Sequence, residues 1–164
     1  MTPAWVALGS NLANPLQQLR RAVAALDELP GSRLERLSGI YRSTAVGPGE
    51  QPAYLNAVVL VRTSVSPLAL LEALQHIERQ QGRERTRRWG PRTLDLDLLL
   101  YGNQRLATAR LTLPHPAMTQ RNFVLVPLAE IATPNLVLPD GTLLDTLAAD
   151  CPRDGLVKTH WQLR

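Results

Sequence analysis

Residues 93–101, TLDLDLLLY, leave the chain the fewest structural options. Leucines at 94, 96, 98 and 100 alternate with Asp95 and Asp97, and a two-residue period is that of a β-strand with one buried face. The strand reading puts Leu94, Leu96, Leu98 and Leu100 in a core. It sets both carboxylates on the other face, roughly 6.5–7 Å apart, two strand rises. Carboxylates that close repel and raise each other's pKa unless cations stand between them, and arginines or metal ions can serve. The fold must therefore supply a layer to cover the leucines and leave the aspartate face within reach of cations. A solvated strand face carrying two wetting aspartates is the bland alternative.

The remaining pattern says which sheet this strand joins. Residues 4–8, AWVAL, read as a strand. A helix is predicted over 15–28, with Asn14 as its cap, Pro15 in the first position, Gln17 at the capping-box place, and Leu16, Leu19, Val23 and Leu26 on one face. Pro30-Gly31 stops it. Strands follow at 34–43 and 54–63, separated by the loop 44–53. A second helix runs over 67–81, capped by Ser66, opened by Pro67 and ended by Gly82, with Leu70, Leu71, Leu74 and Ile77 facing inward. After a basic loop at 83–92 comes the strand at 93–101. The order β-α-β-β-α-β is the split βαβ, ferredoxin-like arrangement of an α+β protein: an antiparallel sheet with two helices on one face. A helix near 121–131 containing Pro127 and a hairpin around Asp140-Gly141 form a C-terminal extension. The last 20 or so residues have no clear pattern.

At 164 residues, the chain is long enough for one domain, 1–164, with a real core. Cys151 is the sole cysteine, which rules out a disulfide framework or a cysteine-rich zinc site and fits a reducing compartment. The N-terminus lacks a secretory pattern, and no apolar run approaches the ~20 residues that cross a bilayer. A cytoplasmic monomer that binds neither membrane nor nucleic acid is expected. The net charge is +4, and Lys158 is the one lysine, so nearly all positive charge is arginine, whose planar fork suits phosphate and carboxylate.

Five of those arginines, Arg83, Arg85, Arg87, Arg88 and Arg92, fall in the ten residues before the aspartate strand, opposed by Glu84 alone. Such a loop can grip a polyphosphate or a nucleic-acid backbone. Its position beside two carboxylates favours a metal–polyphosphate site, because carboxylates and phosphate oxygens are the hard ligands magnesium takes. A second polar cluster, RLTLPHPAMTQRNF at 110–123, holds His115 stiffly between Pro114 and Pro116, with Arg110 and Arg121 on either side. Tyr54 and Asn56 alternate at the start of a strand and share a face.

The segments VALGSNL, QPAYLNAVV, IERQQGR, RRWGPRTLDLDLLLYG and LPHPAMTQRNFVLVPLAEI occur in this order over residues 4–145. Together they resemble the 6-hydroxymethyl-7,8-dihydropterin pyrophosphokinases of folate biosynthesis. R-W-G-P-R-T-L-D-L-D carries most of the specificity. The resemblance implies transfer of pyrophosphate from ATP, the co-substrate, to the pterin hydroxymethyl group, with release of AMP. It implies that Asp95 and Asp97 hold two Mg2+ ions against the triphosphate, and that Arg83 and Arg92 are catalytic. It assigns ATP contacts to Leu71, Gln75, Glu78, Arg85, Trp89, Leu98, Arg110, Thr112, His115 and Arg121. For the pterin it assigns Asn56 as the reading amide and Tyr54 and Phe123 as the sandwiching rings. Ser43, Thr44, Ala45 and Val46 form the edge-reading loop, and Gly9 lies beside the pocket.

Two other chemistries fit parts of the pattern. A nucleotidyltransferase with an aspartate pair on a ferredoxin-like palm would release pyrophosphate instead of AMP. An RNA-binding module using the arginine loop would bind with a salt-dependent affinity and no need for magnesium, but the aromatic-rich strand such modules stack bases on is missing.

Overall fold

The computed structural model describes residues 1–44, 52–82 and 93–164. The first seven elements are β1 (Thr2–Ser10), α1 (Pro15–Asp27), β2 (Ser32–Leu37), β3 (Tyr41–Ser43), β4 (Tyr54–Thr63), α2 (Pro67–Gln80) and β5 (Asp95–Tyr101). β1 lies between β5 and β4, and β2 and β3 pair with the far side of β4, every pair antiparallel. This is the predicted ferredoxin-like sheet, with the aspartate strand on its edge. Leu19, Val23 and Leu26 of α1 and Leu70, Leu74 and Ile77 of α2 pack with Val6, Leu8, Leu96 and Leu98 in one buried cluster.

The extension covers the opposite face. A short ribbon of β6 (Leu106–Ala107) and β7 (Thr112–Leu113) leads to α3 (Asn122–Ile131) and α4 (Leu144–Asp150), and β8 (Leu156–Lys158) pairs with β3. Val124, Leu125 and Leu128 of α3 pack on Trp5, Ala7, Val58 and Leu60, which makes a second core. Pro127 lies inside α3 without ending it. Among the described residues no helix is long and apolar enough to cross a membrane.

Four local expectations need correction. Leu100 does not share the Leu96–Leu98 face. The register slips between Trp5 and Val6, so that Leu98 faces Val6 and Leu100 faces Trp5. Leu99 is the extra residue of a β-bulge, which reverses the alternation beyond it. Leu99 and Leu100 thus both enter the second core. The strand predicted over 34–43 is broken at 38–40. There the Ser38 amide donates to the Val58 carbonyl at 2.9 Å, the Ser38 hydroxyl accepts the Val58 amide at 2.9 Å, and Glu130 accepts the Gly39 amide at 2.9 Å. The hairpin around Asp140-Gly141 is present but minimal: one antiparallel bridge, Val137 to Leu143, flanked by the Leu138 amide donating to the Thr142 carbonyl at 2.8 Å and the Leu144 amide to the Leu136 carbonyl at 2.9 Å, over a turn with Gly141 at φ 90°. The unpatterned C-terminus supplies α4 and an edge strand.

The fourth correction concerns the helix starts. Ser66 caps α2 as predicted, accepting the Ala69 amide at 3.2 Å. Asn14 sits at φ 63° and makes no side-chain cap, so the expected capping box does not form. Ser66→Ala is therefore expected to lower stability by about 1 kcal/mol. Asn14→Gly, which keeps the left-handed backbone accessible, is expected to be neutral. Paired denaturant titrations check both, and equal losses would refute the distinction.

Candidate active site

One row of residues crosses the sheet on the α3 side. Asp95 faces Gly9, Gly9 faces Asn56, and Asn56 faces Tyr41. The next pairs bring Asp97 opposite Ala7 and Tyr54 opposite Ser43. Alternation thus sets Asp95 and Asp97 at the edge, with Asn56 and Tyr54 two strands in and Ser43 three strands in, all on the same face. Gly9 separates them. A Cβ on Gly9 would lie 3.4 Å from Asn56 Oδ1 and 3.8 Å from Tyr54 Cδ1, so its missing side chain keeps a shallow floor open there. Asn56 and Ser43 are buried and Tyr54 half-buried. Phe123, on α3, packs against the second core on this same side.

Two polar residues that the pattern did not single out hold the ends of the segments bordering this floor. Ser10 Oγ donates to the Thr93 carbonyl at 2.5 Å, which fixes the chain just before Asp95. Asn11, 1% exposed, donates from Nδ2 to the Pro52 carbonyl at 3.2 Å just before β4. The signal for them was the G-S-N polar end of an otherwise apolar strand. Among the described residues, Thr93 Oγ1 is buried without a hydrogen-bond partner, one residue from the aspartate stretch.

The outer edge of β5 presents backbone. Glu78, 5% exposed, accepts the Leu96 amide at 2.8 Å. That amide therefore points away from β1. In an antiparallel ladder every second residue does the same, so the Leu98 N–H and C=O also point outward. The Leu98 side chain is in the α1–α2 core. Any contact that Leu98 makes with a base is thus through its backbone. Leu71 and Gln75 are half-buried on α2, two turns and one turn before Glu78. Arg110 reaches the same helix through an exposed ion pair to Glu72 at 3.0 Å. Such a pair is worth no more than ~1 kcal/mol and is easily given up to a phosphate.

His115 joins this edge to the aspartate face. Its amide donates to the Leu99 carbonyl at 2.9 Å. Its Nδ1 accepts the Ala117 amide at 3.2 Å, so the neutral ring carries its proton on Nε2 and can donate from there. Burial lowers the His115 pKa, the Asp97 charge opposes this, and Arg121 adds to the lowering. The ring is thus a neutral donor at pH 7. The unfolded ring takes a proton near 6.5, so the folded state's preference for neutral His115 adds stability above that pH. This contribution is lost as pH falls through the lower folded value. Proton NMR should give a His115 midpoint below 6.5, and a midpoint at or above it would refute the account. Thr112 and His115 line one cavity of about 480 Å³. Arg121 lies just before α3 and stacks its guanidinium 5.7 Å from the Phe123 ring centroid.

Asp95, Asp97, His115 and Arg121 are brought together, as are Gly9, Ser43, Tyr54 and Asn56. Leu71, Gln75, Glu78, Leu98 and Arg110 gather on the other side of the β5 edge. Thr44 is exposed at the end of β3. Ala45, Val46, Arg83, Arg85, Trp89 and Arg92 lie outside the described residues. Among the described residues no cluster of three or more His, Cys, Asp or Glu could enclose a metal ion. Two half-buried carboxylates on one open face are instead the donor set for magnesium, which keeps waters and shares its other positions with phosphate oxygens. The residues present fit that ion.

A family model described as 7,8-dihydro-6-hydroxymethylpterin-pyrophosphokinase matches residues 5–133. The chain is 52% identical over 152 residues to the 2-amino-4-hydroxy-6-hydroxymethyldihydropteridine pyrophosphokinase of Pseudomonas aeruginosa, covering 93% of each. It is 48% identical to the Haemophilus influenzae enzyme of the same name, covering 98% of this chain and 99% of that one. Its fold matches a crystal structure of HPPK-DHPS in complex with substrates at TM-score 0.69 and 13% identity, over 91% of this chain and 45% of that one. It also matches Plasmodium falciparum HPPK-DHPS with pterin and p-hydroxybenzoate at TM-score 0.69 and 14% identity, over 90% and 42%. The chain thus spans less than half the length of these two solved proteins, while it covers nearly all of the two bacterial relatives. By sequence, the chain belongs to the 7,8-dihydro-6-hydroxymethylpterin-pyrophosphokinase family.

Proposed function

We propose that Asp95 and Asp97 hold two magnesium ions against the ATP triphosphate in this chain's reaction, the transfer of pyrophosphate to the hydroxymethyl group of 6-hydroxymethyl-7,8-dihydropterin with release of AMP. The observation that carries this reading is the cross-strand row: Asp95 and Asn56 are separated only by Gly9. A ring read by Asn56 over Gly9 brings its hydroxymethyl arm to the aspartate edge. The magnesium ions, when bound, neutralise and orient the phosphate oxygens.

The chain's own residues supply the rest. Asn56 pairs with the pterin edge, Ser43 to Val46 line that edge, and Tyr54 and Phe123 sandwich the ring. The nucleotide crosses the outer edge of β5. Its base meets the Leu98 backbone, its nucleoside lies by Leu71, Gln75 and Glu78, and its phosphates lie toward Arg110, Thr112, His115 and Arg121. His115 donates from Nε2. Arg83 and Arg92 stabilise charge on the bridging and transferred oxygens, Arg85 contacts the ATP phosphates, and Trp89 helps seal the site. No strong base stands beside the attacking hydroxyl among the described residues assigned here. In-line placement and electrostatics therefore do most of the work, as is usual in phosphoryl transfer. The chain acts on its two small-molecule substrates as a monomer.

Incubation with ATP, the pterin and magnesium should yield AMP and the pterin pyrophosphate in equal amounts, and EDTA should abolish both. Release of pyrophosphate in place of AMP would make the chain a nucleotidyltransferase. AMP formation that survives EDTA would overturn the metal assignment.

A further inference from the structure

Asn56 has its side-chain amide held from the neighbouring strand. Nδ2 donates to Ser43 Oγ at 2.7 Å and, more weakly, to the Tyr41 carbonyl at 3.5 Å. Asn56 is 4% and Ser43 7% exposed, so water does not share these bonds freely. Both Nδ2 hydrogens are thereby turned to β3. Oδ1 is left facing across Gly9, 3.4 Å from where a Cβ there would stand. Rotated by half a turn, the amide would set its oxygen against the Tyr41 carbonyl oxygen. Two acceptors would then face each other in a buried place, and one bond would be lost.

We infer that Ser43 is a positioning residue that fixes the Asn56 amide with its carbonyl oxygen toward the substrate, so that the pocket accepts a flat ring presenting an N–H donor at that edge. This rests on the assignment of Asn56 to the pterin pocket. The amino-pyrimidinone edge of a pterin carries such donors. A ring of the same shape with only acceptors there would set lone pairs against Oδ1 and be rejected. The hydroxyl is what the role requires. Threonine keeps it, and alanine removes it without adding bulk.

The test uses Ser43→Ala and Ser43→Thr in the full chain. Pterin binding is measured by calorimetry in the presence of a non-hydrolysable ATP analogue, and the analogue is also titrated alone. In the ligand-free protein, the Asn56 side-chain NH2 resonances are followed by nitrogen-15 NMR. Ser43→Ala should weaken pterin binding roughly 3- to 10-fold, the worth of one net hydrogen bond, and Ser43→Thr should restore it to within about twofold. The analogue's affinity should hold in both variants, and the melting temperature should hold in Ser43→Thr and fall by no more than a few degrees in Ser43→Ala. The Asn56 NH2 signals should shift and exchange faster in the alanine variant alone. Wild-type pterin affinity in Ser43→Ala would overturn the inference, as would unchanged NH2 signals. Equal losses for both ligands with a lower melting temperature would also overturn it, since they would mark a role in the fold. If the wild type bound the analogue but no pterin, the pocket assignment would fall instead, and the NH2 signals would still decide whether Ser43 holds the amide.

Discussion

Asp97→Asn should lower the rate of AMP formation by about 10³-fold or more while the chain stays folded. The substitution keeps size and hydrogen-bonding shape and removes one negative charge from a face that holds two. An ion that neutralises transferring phosphate is worth several kcal/mol, and ~4 kcal/mol is about a thousandfold in rate. Stability should not suffer. Asp97 is half-buried, above Ala7, and removing one of two neighbouring carboxylates relieves repulsion. Asp95→Asn should act in the same direction. The double variant should fall well short of the sum, because both groups serve one charge-neutralising function. An independent signature comes from His115. The Asp97 charge opposes the lowering of its pKa, so Asp97→Asn should move the His115 midpoint further down. Retention of more than about a tenth of the wild-type rate in either single variant would leave the metal role without support.

How far the sequence was legible follows from which physical signals are local. The alternation in residues 93–98, the proline and serine at the start of α2 and the glycine at its end are local, and each marks its element. The bulge at Leu99 is not local. It arises because β5 and β1 differ in register by one residue, and Leu98-Leu99-Leu100 reads the same whichever leucine is extra. Asn14 had every local mark of a cap, but its backbone is left-handed, and side-chain capping needs an extended one. The second core was visible only as an apolar helix with no stated partner, since the sheet face it covers carries Trp5 and Val58, which are equally at home in the first core. For the site, alternation beside a basic loop marked the aspartates, while it gave Asn56 and Tyr54 only a shared face; their pterin roles came from the family resemblance. Glu78, Ser10 and Asn11 did not show their structural tasks. A buried polar side chain is recognisable only once its partner's backbone is in place, and those partners are 18, 83 and 41 residues away.

Gly9 gives the sharpest separation between the two halves of the site. By strand propensity alone, replacing a glycine inside β1 should help the fold, since glycine weakens a strand. The floor between Asn56 and the aspartates sets the opposite demand. The alanine methyl would stand 3.4 Å from Asn56 Oδ1 and 3.8 Å from Tyr54 Cδ1, tight but tolerable, and it would occupy the space over which the ring is proposed to lie. The two further methyls of valine would fill it. Overfilling a packed site costs about 1–3 kcal/mol. Pterin affinity should therefore drop about tenfold in Gly9→Ala and about 100-fold or more in Gly9→Val. In the proposed arrangement the nucleotide meets the outer edge of β5 and does not cross this floor, so a non-hydrolysable ATP analogue should bind both variants within about twofold of wild type. Side-by-side calorimetry of the two ligands decides it. If Gly9→Val binds the pterin as wild type does, the ring does not lie over β1, and the route from Asn56 to the aspartate edge is wrong. If instead the ATP analogue is lost along with the pterin, the nucleotide must reach further across the sheet than the β5 edge.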